Sequence, residues 1–66
     1  MTEEELLAQV VASDRRVQEA EEELVELKRA RAAAARAAVD GGVTQYRVAQ
    51  ATGRRQSAVA QWRKSV

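Results

Sequence analysis

The sequence predicts an all-α chain in which a long amphipathic N-terminal helix is followed by two short helices across a tight turn. Three observations predict it. Nothing breaks a helix between Thr2 and Asp40, glycine occurs only at positions 41, 42 and 53, and apolar residues recur at helical spacing on both sides of those glycines.

The first element runs from Thr2 to Asp40 through mostly strong helix formers and stops at Gly41 and Gly42, where a left-handed cap is favoured. A helix of about 38 residues is roughly 57 Å long at 1.5 Å per residue. A chain of 66 residues buries only roughly 60% of the surface its unfolded form exposes, so it cannot hide the apolar stripe of such a rod by itself. A partner helix is expected. The stripe repeats every seven residues, in one row Val10, Val17, Leu24, Arg31, Ala38 and in another Leu6, Ser13, Ala20, Leu27, Ala34. Ser13 and Arg31 interrupt it, and beyond Leu27 it is alanine, which leaves about three heptads of coiled-coil seam. The expected homodimer interface is Leu6, Val10, Val17, Ala20, Leu24 and Leu27. Flanking charges favour parallel pairing, since Arg16 then faces Glu21 of the partner subunit and Glu23 faces the partner's Lys28. Each exposed pair contributes only a few tenths of a kcal/mol, so orientation is weakly set and an antiparallel or fold-back packing stays open. The acids Glu19, Glu21, Glu22 and Glu23 spread around the helix and read as a solvated face.

Thr44 is a good N-cap for the second helix, which carries Val48 and Ala49 on one face and ends at Gly53. The third is expected from about Gln56 to Ser65, with Val59 and Trp62 three residues apart on its apolar side. Residues 1–40 therefore form a dimerisation helix and residues 41–66 a head, closed by packing against the long helix at about residues 30–40.

Composition removes several functional classes. With no Cys, His or Pro there is no disulfide framework, no zinc cluster and no Ser-His or Cys-His pair. No glycine-rich phosphate loop is present either, so an enzyme is not expected, nor a cofactor, a metal or a small-molecule effector site. No apolar run approaches the roughly 20 residues of a membrane span, and the start MTEEELLAQ is acidic where a signal peptide is basic. The charges are unevenly placed. Residues 1–40 hold ten acids and six bases, whereas residues 41–66 hold five bases (Arg47, Arg54, Arg55, Arg63, Lys64) and no acid. A segment with bases and no acid suits a surface that meets phosphate, although a solvated basic face would have the same composition.

The segment VTQYRVAQATGRRQSAVAQWRK resembles the helix-turn-helix of phage Cro and repressor proteins and of the bacterial regulators that share it. The resemblance rests on Val48 and Ala49, on Gly53 in the turn, and on Val59 and Trp62 six and nine residues after it, and it covers about a third of the chain. It implies a sequence-specific double-stranded DNA-binding protein, a small dimeric transcriptional regulator of repressor type. Such a protein is expected in the cytoplasm at the nucleoid, on bacterial, plasmid or phage DNA. The start of the last helix would then face base edges, placing Gln56, Ser57, Ala60 and Gln61 in the major groove. Backbone contacts fall on this reading to Thr44, Gln45, Arg47, Arg54, Arg55, Arg63 and Lys64, with Lys28, Arg29 and Arg36 reaching flanking phosphates. There are departures. Arg54 and Arg55 stand where the family has an apolar residue and a Ser or Thr cap, and Thr52 stands where Leu is common. The alternative is a coiled-coil adaptor whose trihelical head holds another protein, against which the absence of acids after Asp40 argues.

Overall fold

A computed structural model of the protein describes residues 1–64. It contains α1 (Glu3–Asp40), α2 (Gln45–Thr52) and α3 (Gln56–Lys64), with no strand among the described residues. The expected end of the last helix at Ser65 lies outside them.

Each boundary has a local cause. At the start of α1 the Thr2 hydroxyl accepts from the Glu5 amide at 3.1 Å while the Glu5 carboxylate reaches back to the Thr2 amide at 3.5 Å. This capping box satisfies amides the helix leaves free, and Glu3, Glu4 and Glu5 set negative charge at its positive end. At the other end only Gly42 is left-handed, with φ 100°, whereas Gly41 stays at φ −82°. The Gly42 and Val43 amides donate back to the carbonyls of Val39 (3.0 Å) and Ala38 (2.9 Å), the bond pair of a Schellman ending. Thr44 caps α2 by accepting from the Arg47 amide at 3.2 Å. That helix ends in the same way as α1: Gly53 has φ 69°, and the Arg54 amide donates to the Ala49 carbonyl at 3.0 Å. The Thr52 hydroxyl donates to the Val48 carbonyl of its own helix at 2.8 Å, which satisfies the hydroxyl locally.

The core is small. Among the described residues, Ala32 and Ala35 from α1, Ala49 from α2 and Val59 from α3 are the buried ones, ringed by half-buried side chains that include Arg36, Ala38, Val39, Val48, Ala58 and Trp62. α3 packs on both other helices, and α1 touches α2 much less. α2 and α3 pack on the last turns of α1, where Ala32 and Ala35 are buried. The rest of α1 extends as an arm and gives the chain extents of 60 × 19 × 15 Å. Along that arm Leu6, Val10, Val17, Ala20, Leu24 and Leu27 are all exposed.

The head also bounds the apolar seam. Arg31 lies against Trp62 and Ala38 is half-buried, so the row containing them is taken up within the chain beyond Leu27. The free part of the stripe is Leu6 to Leu27.

Gly53→Ala should destabilise the head by about 1–2 kcal/mol from the left-handed backbone alone, because an added Cβ meets nothing within 4 Å. Thermal unfolding followed through Trp62 fluorescence measures this; an unchanged midpoint contradicts the left-handed turn.

Candidate nucleic-acid interface

α3 is too short to be stable alone and is held by its apolar side, with Val59 fully buried and Ala58 and Trp62 half-buried. Burying that side turns Gln56, Ser57, Gln61 and Lys64 outward, and all four are exposed. Three of the four residues expected at base edges thus share the outer face. Ala60 does not fully join them: it is half-buried at the border of α3 with α1 and α2. The rotation that buries Val59 turns its neighbour partly inward, so Ala60 is less exposed than the other three residues expected at base edges.

Two clefts border the outer face of α3. One is lined by Arg36, Asp40, Gln45, Ala60, Arg63 and Lys64. In it Gln45 and Arg63 are half-buried, and Arg36 donates from Nη2 to the Arg63 carbonyl at 2.7 Å. The other is lined by Val25, Lys28, Arg29, Arg31, Gln61 and Trp62. There the Arg31 guanidinium lies 4.5 Å from the centre of the Trp62 ring, which it covers as a cation on a π face. Arg29 also reaches Glu26 at 3.5 Å, an exposed pair of small energetic weight.

The remaining expected residues are distributed around this centre. Arg54 and Arg55 are exposed in the turn before α3, and the Arg55 carbonyl accepts from the Ala58 amide at 3.0 Å to start the helix. Arg47 is exposed on α2, and the hydroxyl of Thr44 is engaged as its cap. From Leu27 to Lys64 the sequence holds nine bases and a single acid, Asp40.

Two contacts between α1 and α3 were not legible in the sequence. Arg31 reads as a flaw in a heptad seam and Arg36 as a cation reaching for phosphate, yet both are bound to α3. Neither contact could be found from periodicity, because each joins residues about 30 positions apart; the one available signal was a lone Trp on a short helix. Arg36 is half-buried, with one guanidinium nitrogen engaged by the Arg63 carbonyl. A smaller contact, from Gln50 Nε2 to the Tyr46 hydroxyl at 2.9 Å, stays within α2.

Among the described residues no group of acids, His or Cys could hold a metal ion, and no helix is long and apolar enough to cross a membrane. No family model, curated protein or solved structure matches the chain.

Arg36→Ala should lower head stability by about 1–2 kcal/mol, since it removes a charge-assisted bond to a carbonyl, whereas Arg47→Ala should cost less than about 0.5 kcal/mol. Thermal unfolding of the two variants side by side checks this. Equal midpoints would show that the Arg36 bond contributes nothing.

Proposed function

We propose that this chain is a sequence-specific double-stranded DNA-binding protein, a small homodimeric transcriptional regulator that reads the major groove with α3. One observation carries the reading: a short helix, fixed by its apolar side after a left-handed Gly53, turns the polar face Gln56, Ser57, Gln61 and Lys64 outward in a basic, acid-poor region. The resemblance of residues 43–65 to the Cro and repressor helix-turn-helix supports the same conclusion. A major groove about 12 Å wide admits such a helix.

Roles divide by chemistry. An amide side chain can donate and accept together at an adenine edge, so Gln56 is assigned base readout, with Ser57 and Gln61 beside it. Arg47, Arg54, Arg55 and Lys64 carry charge and act on phosphates regardless of sequence. Arg54 or Arg55 can also grip a guanine from the start of the helix.

The exposed stripe from Leu6 to Leu27 supports dimerisation through the arm. β-Branched Val10 and Val17 in one row, with Leu6 and Leu27 in the other, suit a two-stranded parallel coil. That arrangement points the acidic arm, with nine acids and two bases in residues 1–26, away from DNA.

Gln56→Ala should lose roughly 1–3 kcal/mol on a selected site and much less on random duplex. Equal loss on both DNAs would remove Gln56 from base readout. Replacing Val17 and Leu24 together with Asp should yield a monomer that binds DNA more weakly; sedimentation of the native chain as a monomer at micromolar concentration would overturn the dimer.

A further inference from the structure

A helix lying in the major groove has a phosphate backbone on each side of it, and α3 has a cationic cleft on each side of its outer face. Ala60 lines the cleft containing Arg36, Arg63 and Lys64 with the single acid Asp40, and Gln61 lines the cleft containing Lys28, Arg29 and Arg31 with no acid. Ser57 lies three residues before Ala60 and four before Gln61, so on a helix it occupies the strip between the two. The second cleft takes its cations from the long helix.

We infer that the cleft between α1 and α3, lined by Lys28, Arg29, Arg31, Gln61 and Trp62, seats a phosphodiester segment of the DNA strand bordering the groove on the α1 side. The long helix is then part of the DNA interface as well as the dimer arm. This rests on the proposed reading of α3 and adds to it a second backbone contact.

Three features favour a polyanion there. Lys28 and Arg29 are exposed, and no acid of the same chain lines the cleft; the exposed pairing of Lys28 with Glu23 of the partner subunit expected in a parallel dimer is weak enough for phosphate to displace. Arg31 is fixed in direction by the Trp62 ring, so ordering it on phosphate costs less side-chain entropy than ordering a free arginine. The charge of α1 also changes sign where the head begins: Glu26 is the last acid before Asp40, and Lys28, Arg29, Arg31 and Arg36 fall between them. A helix serving only as a coiled-coil arm has no need of that boundary at that place. The nearest acid, Glu26, pairs with Arg29 across one turn at 3.5 Å, an exposed contact that phosphate can displace.

The test compares native protein with Lys28→Gln and Arg15→Gln on a random-sequence duplex of about 30 base pairs over a range of salt concentrations. Arg15 lies on the exposed, acidic part of the arm and serves as the control for a lost charge. Lys28→Gln should reduce the slope of log affinity against log salt by about one unit per protomer on the DNA, about two for the dimer, and Arg15→Gln should leave it unchanged. Sedimentation of each variant checks that the oligomeric state is the same. As a second readout, Trp62 is the chain's single tryptophan, so its emission should change on adding duplex and change less in Lys28→Gln. Native binding with the same slope in both variants overturns the cleft but not the reading of α3. Failure of the native chain to bind duplex at low salt overturns both. A change in Trp62 emission reproduced by inorganic phosphate at matched ionic strength also overturns the proposal, since the cleft would then be a site for free anions.

Discussion

The head holds together around three alanines and one valine, and the rest of the structure depends on that constraint. Helix axes approach only as closely as the side chains between them allow, so Ala32, Ala35 and Ala49 let α1 and α2 close on Val59 of α3. A core this small cannot carry α2 and α3 as an independent unit. The last turns of α1 are therefore scaffold, and the same unbroken helix continues outward as the arm. No glycine or proline interrupts it between Glu3 and Asp40, so whatever fixes the direction of the arm also fixes the direction in which α3 faces.

That continuity gives Arg31 its place in the structure. As a member of the apolar row it is a defect, and a second helix could not bury it without desolvating its charge. On the surface of its own head it covers the ring of Trp62, where the guanidinium meets the π face while its edge stays in water. The row thus changes use at one residue: toward Leu24 it is open to a partner, and toward Ala38 it serves the head. Arg36, one turn further on, ties α1 to the end of α3 through the Arg63 carbonyl. Two arginines that composition counts as free positive charge are structural links, and the other exposed cations near the head are Lys28 and Arg29 on α1 with those of α2, the turn and Lys64.

Much of this was legible in the sequence because it is local. The glycines at 42 and 53, the cap at Thr44 and the periodicity of residues 2–40 fix where helices begin and end, and they act over four or five residues. The outward face of Gln56, Ser57 and Gln61 follows from the inward face of Val59 and Trp62 by helical geometry alone. What could not be read depends on how the helices are placed against each other. Ala60 lies between the two faces of α3, so a modest rotation about the axis decides its exposure. Arg31 and Arg36 find partners on an element about 30 residues away, a pairing no periodic pattern encodes. The end of the open seam at Leu27 was legible, since the rows turn to alanine there, but the half-burial of Ala38 by the head was not.

Two heads carried on a parallel, twofold-symmetric arm would present two copies of α3 related by the same axis, and such a pair reads inverted half-sites. Selection of bound duplexes from a random-sequence library by the native chain is the most direct test. The account predicts enrichment of an inverted repeat whose half-site centres lie about one helical turn, or a multiple of it, apart. Recovery of unenriched sequence, or of no bound DNA at all at low salt, would contradict it.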